Sequence, residues 1–151
     1  MSYDSRPDTV SHIQEVRIRL DRVISNLLDR AQVHDRSKFE EPELSVFNEF
    51  TPLLKGSTYG SEAYKSYLAS MGEGLKHHYA VNDHHPEYFA DGIHEMNLLQ
   101  MIEMLCDWKA ATLRHDDGSL YSSIKGNAER FGYGAEIENL LMQTAEYLGW
   151  L

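Results

Sequence analysis

The sequence predicts an all-α protein, and three observations support this. Apolar residues recur at helical spacing through most of the 151-residue chain. No segment shows the alternation of polar and apolar residues that is typical of a strand. Low-complexity segments and internal repeats are also missing from the sequence. We therefore expect one helical-bundle domain of five or six helices over residues 1–151.

The first helix is predicted over residues 9–31, where apolar side chains recur every three or four positions with charges between them. Asp8 or Thr9 is suited to its N-cap. A short helix follows, with acids and Pro42 in its first turn and its end at Pro52. Further helices are predicted from Ser61 toward Leu75, over about 94–115, over about 119–131 and over 135–148, with loops at 55–60 and 115–119.

The helix that begins at Ser61 contains Gly72 and Gly74, which are expected to weaken or bend it. Asn82-Asp83 is its predicted exit. Pro86 disfavours helix at the residue before it. The pair His77-His78 is therefore expected on the last turn, and the pair His84-His85 in the following loop.

Composition and charge limit the class of function. A formal charge of −10 repels the phosphate backbone, so polymeric nucleic acid is not expected as a partner. A small anionic substrate is compatible with this charge, because a bound cation reverses the local field. No apolar run approaches the roughly 20 residues that span a membrane, and the N-terminus lacks a signal-peptide pattern. The single cysteine, Cys106, fits a reducing cytoplasm, where we expect the protein to be.

His34 and Asp35 offer adjacent nitrogen and oxygen donors from one short backbone segment. A divalent metal ion can use such a pair, and the aspartate can bridge to a second ion. Lys38 lies one helical turn beyond His34 and points toward the same side if the segment is helical. A His-Asp pair can also occur on a surface by chance, so the other donors of the chain decide its meaning.

Four of the eight histidines form two doublets, His77-His78 and His84-His85. Imidazole is the commonest protein ligand for zinc, iron, manganese and nickel. Histidines at the end of a helix also interact favourably with its dipole in the absence of a metal. Four imidazoles beside one helix end are more than this interaction needs, which favours a metal site.

The helix predicted at 94–115 has apolar side chains over more than half of its circumference. Its narrow polar stripe consists of Gln100, Glu103, Asp107 and Arg114. Such a helix is expected to be largely buried, and buried carboxylates need a cation or several hydrogen-bond donors. The alternative is that the stripe faces water. Trp108 and Cys106 are expected to pack in the core.

Together these segments resemble the HD-domain superfamily of metal-dependent phosphohydrolases, and most closely a small HD-like family of bacteria and their phages. The resemblance covers most of the chain and is carried by residues 34–43 (HDRSKFEEPE), 84–87 (HHPE) and 103–111 (EMLCDWKAA). It implies an HD-like helical domain with one or two divalent transition-metal ions. Manganese, iron, cobalt, nickel and zinc are not distinguished. The implied substrate is a small phosphorylated molecule, such as a nucleotide.

With this resemblance, the metal ligands are expected to be His34, Asp35, His78, His85, Asp107 and His12. Catalytic roles are expected for Asp35, Lys38 and Glu103, and substrate contacts for His77, His84, Lys109 and Arg114. His12 raises a difficulty, because an unbroken helix would place it roughly 33 Å from His34. It could share an ion with His34 only if the helix breaks, and Ser25-Asn26 is the most suitable place.

Three functions remain open. The first is hydrolysis of a nucleotide or another small phosphate ester by a metal-activated water. No serine elbow, catalytic-cysteine signature or glycine-rich phosphate loop competes with this chemistry. The second is oxidation, since some HD-fold proteins with additional histidines hold two irons and oxidise small polyols or phosphonates with O₂. The third is a non-catalytic module with a structural metal. A homo-oligomer is compatible with each.

Overall fold

The computed structural model describes residues 3–58, 60–115 and 117–151. This part of the chain is all-α, as predicted, with seven α-helices and no strand. The helices are α1 (Arg6–Val33), α2 (Glu43–Lys55), α3 (Glu62–Ser70), α4 (Gly72–Val81), α5 (Leu98–Thr112), α6 (Leu120–Phe131) and α7 (Ala135–Tyr147). Short 3₁₀ helices lie at Arg36–Phe39, Pro86–Tyr88 and Gly92–Glu95. The predicted loops at 55–60 and 115–119 include Tyr59 and Asp116, which lie outside the described residues.

The chain forms two compact units, residues 1–34 and residues 35–151. In the described part of the first unit, residues 3–34, α1 is the only helix, and none of its 28 residues is buried. The second unit contains the other helices. Among the described residues, no helix combines the length and the apolar character that crossing a membrane requires.

Helix α1 continues through Ser25 and Asn26, the place at which the sequence allowed a break. His12 lies in its second turn, and His34 is its C-cap. The unbroken helix therefore separates the two residues by roughly 33 Å, so they cannot bind the same ion within one chain. The condition under which His12 would complete a site with His34 is not met.

Several predicted helix boundaries are wrong. Helix α1 begins at Arg6, and its N-cap is Ser5 rather than Asp8 or Thr9. Helix α2 passes Pro52 and ends at Lys55. A proline in the last turn removes one backbone hydrogen bond, to the carbonyl of Asn48, and Asn48 is exposed to water. The helix predicted from Ser61 to an exit at Asn82-Asp83 is two helices, because the chain turns where α4 begins, at Gly72 with a φ of +48°. Its predicted exit agrees with the end of α4 at Val81. This division explains why the structure has more helices than the expected five or six.

Helix α5 is shorter than the predicted range 94–115. Asn97 caps it, because its side chain accepts from the backbone N–H of Gln100 and the side chain of Gln100 accepts from the backbone N–H of Asn97. This capping box fixes the start of the helix at Leu98. The last two helices agree with the predicted ranges to within one residue.

Helices α5, α6 and α7 supply the main hydrophobic core of the second unit. Its buried members include Met104, Leu105, Trp108, Leu120, Ile124, Leu141 and Ala145. Trp108 therefore packs in the core, as predicted. Cys106 does not. It follows the buried Leu105 by about 100° around the helix and is exposed.

Candidate metal centre

The end of α4 and the loop after it bring three histidines together. His78 lies near the end of α4, and His84 and His85 follow in the loop, as predicted. The Nε2 atoms of His78 and His85 are 2.9 Å apart. The ring centroids of His84 and His85 are separated by 4.1 Å. The helix end and the loop that follows it therefore bring three imidazole rings close together.

Asp35 adds an oxygen donor to these imidazoles. It immediately precedes the 3₁₀ helix Arg36–Phe39 and has a φ of +56°, a left-handed conformation that aspartate tolerates better than most residues. Its Oδ1 lies 3.4 Å from Nε2 of His78 and 3.5 Å from Nε2 of His84. The left-handed turn therefore places the carboxylate against the histidine group.

The spacing of the donors fits a metal ion. Asp35, His78, His84 and His85 each offer one ligand atom, and the four atoms lie within 4.8 Å of one another. With metal–ligand bonds of about 2.0–2.1 Å, neighbouring ligands lie about 3.3 Å apart in a tetrahedral site and about 2.9 Å apart in an octahedral one. The distances of 2.9, 3.4 and 3.5 Å match this range. Three imidazoles and one carboxylate suit divalent manganese, iron, cobalt, nickel or zinc.

Behind this group, Glu43 holds His78 by its other ring nitrogen. The Glu43 side chain is 0% exposed. One of its oxygens lies 2.8 Å from Nδ1 of His78 and accepts from the Ser37 hydroxyl at 2.9 Å. The other lies 2.8 Å from Nδ1 of His77. A single buried carboxylate therefore joins two adjacent histidines of α4 to the 3₁₀ helix after Asp35.

The tautomer of His78 follows from these contacts. Its Nδ1 also lies 3.0 Å from Nδ2 of Asn82, but that amide donates to the Ser37 hydroxyl and to the carbonyl of His78, each at 2.8 Å. Because the two amide hydrogens are used in this way, Nδ1 of His78 donates to Glu43. Nε2 is then left with its lone pair toward the donor group, as a metal ligand requires.

Glu103 supports His84 in a similar way. Its Oε1 is 3.3 Å from Nδ1 of His84, while Nε2 of the same ring is the atom near Asp35. His78 and His84 are both buried. Two of the three imidazoles thus have a carboxylate behind them, an arrangement that fixes ring orientation and raises ligand basicity at metal sites.

Burial favours the neutral form of two of these imidazoles, those of His78 and His85. It lowers the pKa of His78, with a further decrease from the positive charge of Lys38. For His85, burial and the neighbouring His84 and His78 lower the pKa to about 3. Neutral imidazole is the form that binds a metal. Asp107 lies close enough to His85 for its charge to oppose this decrease.

Lys38 contacts this group, and part of the polar stripe of α5 lies at or beside it. Nζ of Lys38 is 2.5 Å from Oδ2 of Asp35, the oxygen that is not directed at the histidines. Gln100 is buried and donates from Nε2 to Asp83 at 2.6 Å, and the Glu103 side chain is largely buried. The alternative that this stripe faces water is therefore wrong for both residues.

Several expected residues lie elsewhere or have other contacts. Lys109 donates from Nζ to the backbone carbonyl of Trp150 at 2.8 Å, which ties the chain end to α5. Arg114 lies beyond the end of α5 and is exposed, as is His12 on α1. His34 belongs to the first unit and is joined to Asp35 by their peptide bond. Its role as a ligand stays a prediction.

The structure adds contacts of His84 and Glu43 that the sequence does not predict. His84 is predicted to contact substrate, and in the structure its Nε2 lies 3.5 Å from Oδ1 of Asp35, within the candidate donor group. Glu43 was interpreted only as an acid in the first turn of a helix. It does lie within residues 34–43, which carry the HD resemblance, and this was the one signal that could have revealed it. Its contacts with His77 and His78 cross more than 30 positions of sequence, beyond the reach of local patterns.

The fold and the site define an all-α protein with a histidine and carboxylate group suited to a divalent transition metal. Residues 1–149 match DUF5662, a family of unknown function, and the chain belongs to this family. No curated protein and no solved structure gives a significant match.

Proposed function

We propose that this protein is a metal-dependent phosphohydrolase of the HD type that acts on a nucleotide or another small phosphate ester. The observation that supports the proposal is the ligand-like spacing of Asp35, His78, His84 and His85. Two of these histidines have carboxylates on their other ring nitrogens, Glu43 and Glu103. The HD resemblance supplies the class of reaction.

Asp35, His78, His84 and His85 would hold a divalent ion, which would supply a bound water with a pKa near 7 and a polarised phosphoryl oxygen. Within the chain, Asp35 offers Oδ1 to the group while its Oδ2 is held by the ammonium of Lys38 at 2.5 Å. Lys38 fixes the rotation of this carboxylate and places a positive charge beside the group. That charge suits an anionic phosphate.

Glu43 and Glu103 act as positioning residues in this proposal. Glu43 accepts from the Nδ1–H of His78, and Oε1 of Glu103 lies 3.3 Å from Nδ1 of His84, so each carboxylate directs the Nε2 of its histidine toward the donor group. His77 shares Glu43 with His78 but is exposed, so its Nε2 is accessible for a substrate contact. The formal charge of −10 favours a small substrate over a nucleic-acid polymer.

The test has two parts. Protein purified without chelator is analysed for metal, and phosphate release is then measured on a panel of nucleotides and sugar phosphates with each candidate ion. Wild type is expected to carry divalent metal and to hydrolyse part of the panel, and Asp35→Asn to lose both properties. The control is Asp91→Asn, an exposed position, which is expected to keep both. A wild type and an Asp35→Asn variant with equal metal content would refute the site, and a metal-loaded protein inactive on the whole panel would refute the reaction.

A second candidate is a non-catalytic module with a structural metal. It is favoured by one observation, that the protein itself offers four ligand atoms, the number that closes a tetrahedral structural zinc site. The cobalt-loaded protein distinguishes the two functions. Phosphate or azide is expected to change its visible spectrum if a coordination position is open to solvent. An unchanged spectrum together with absent turnover would support the structural role.

A further inference from the structure

Helix α1 carries a continuous apolar seam, formed by Ile13, Val16, Leu20, Val23 and Leu27. Successive members are three, four, three and four positions apart. This average of 3.5 residues is the repeat by which two helices pack side by side along their length. Val10 and Ile24 adjoin the seam and widen it on one side.

The seam is accessible over most of its length. No residue of α1 is buried, and Ile13 and Leu20 are 59% and 56% exposed. Isolated large apolar side chains are common on protein surfaces, but a contiguous apolar strip of this length marks an interaction surface. The regularly spaced apolar seam is therefore suited to packing against a partner.

The composition of α1 indicates that its apolar face must pack against another structural element. Val10, Ile13, Val16, Ile18 and Val23 are β-branched residues, which have a lower helix propensity than alanine or leucine. Helices in proteins gain most of their stability from packing of an amphipathic face. Residues 1–34 form a compact unit, and its described residues, 3–34, contain a single helix, so they offer no second element against which the seam could be buried.

We propose that the seam of α1 packs against the same seam of a second copy of this chain, which makes the protein a homodimer. The repeat favours a helix as the occupant, and a twofold dimer supplies the same helix from both sides. This inference does not rest on the proposed function.

Charge favours a second copy approached through this helix. Residues 1–34 contain five basic and five acidic residues, so the whole formal charge of −10 belongs to residues 35–151. Two copies that met through their 35–151 units would bring two strongly negative surfaces together. Two α1 helices have no net charge to oppose their contact. A basic partner, by contrast, would be drawn to the acidic unit.

The first experiment measures the mass of the full-length protein in solution by sedimentation. Wild type is expected at about twice 17.4 kDa, and Leu20→Asp at half that mass. The matched control is Ile18→Asp on the same helix, which is 61% exposed and lies outside the seam. It is expected to remain a dimer. Circular dichroism is recorded for each variant to show that the helices are retained.

A second measurement covers the case in which Leu20→Asp does not fold. This measurement uses a Cys106→Ser background, which removes the native cysteine. In this background, Leu20→Cys or Val23→Cys is expected to form an intermolecular disulfide on mild oxidation. The Ile18→Cys variant is not expected to form one. A monomeric wild type with no crosslink from either seam position would overturn the proposal. A monomer whose stability falls strongly in Leu20→Asp would overturn it too, since the cover would then lie within the same chain.

Discussion

The buried carboxylate of Glu43 holds the imidazole of His78 through Nδ1 at a distance of 2.8 Å. Glu43 is the first residue of α2, and His78 lies near the end of α4. Through Ser37, the same carboxylate also reaches the 3₁₀ helix that follows Asp35. One side chain with no solvent exposure thus sets the mutual position of three segments that supply or support ligand atoms.

The first prediction concerns Glu43→Gln. His77 and His78 lie at different oxygens of Glu43, and a glutamine amide has an oxygen at only one of these two positions, so an NH₂ group would take the place of one of the two carboxylate oxygens. Metal affinity is expected to fall by about 10- to 100-fold, the loss typical of such supporting residues. Competition with a chromophoric chelator measures it. Glu41→Gln, at an exposed position that contacts Ser45, is the control; if both variants bind metal as wild type does, Glu43 is not a positioning residue.

The second prediction concerns Asp107→Asn, which keeps the size of the side chain and removes its charge. If Asp107 is a ligand, metal affinity and turnover are expected to fall together, by about 10-fold or more. Metal removal from wild type should reproduce the defect. If Asp107 is instead a solvent-facing residue, the free energy of unfolding should change by less than about 0.5 kcal/mol, and metal content should not change. A folded variant with full metal and activity would place the site with the histidines and Asp35 alone.

The third prediction tests the close approach of α2 and α4. A Cβ added at Gly74 would lie 2.7 Å from Cβ of Val46, so Gly74→Ala is expected to destabilise the protein by about 1–3 kcal/mol. Urea unfolding measures this. Gly126→Ala is the matched control, because Gly126 is an exposed helical glycine with no atom within 4 Å of the added carbon. It is expected to stabilise by about 0.5–1 kcal/mol. Equal effects of the two substitutions would contradict the tight contact.

The fourth prediction concerns metal removal. An ion that binds only the folded chain stabilises it, by about 2.7 kcal/mol when its free concentration is 100 times the dissociation constant. Chelator is therefore expected to lower the melting temperature of wild type and to leave that of Asp35→Asn unchanged. Calorimetry with and without chelator measures the difference. If chelator leaves the melting temperature of metal-containing wild type unchanged, the result would argue against metal binding at this group.

Local patterns predicted the helices well where a local contact determines their ends. Ser119 and Ser61 cap their helices through their own hydroxyls, and both starts were predicted. The start of α5 is an exception, because the sequence predicts it at about residue 94 although a local contact determines it, with the Asn97 side chain accepting from the backbone N–H groups of Leu99 and Gln100. Pro52 was expected to end α2, but its cost is small in a last turn that faces water.

The sequence predicts part of the candidate site. The residues that it does not predict are those whose contacts join segments far apart in the chain. Asp35, His78 and His85, which the sequence predicts as ligands, do lie together in the structure, and each offers an atom to one candidate group. The contacts of Glu43 and the place of His84 in that group depend on which chain segments lie side by side, and neither pattern nor spacing contains that information. The physical reason is that a hydrogen bond such as that between Glu43 and His78 forms only when distant segments of the chain pack together.

The side-chain amide of Gln100 forms hydrogen bonds through both its oxygen and its nitrogen, and these two bonds couple the start of α5 to the loop that contains His84. Its oxygen accepts from the backbone of Asn97 at 2.8 Å, and its nitrogen donates at 2.6 Å to Asp83, the residue before His84. The first turn of α5 is therefore clamped to the histidine loop, so fraying of that helix end must release both together. Amide hydrogens at the start of a helix usually exchange quickly with solvent. Here those of α5 are expected to exchange slowly, at the same rate as the loop of His84.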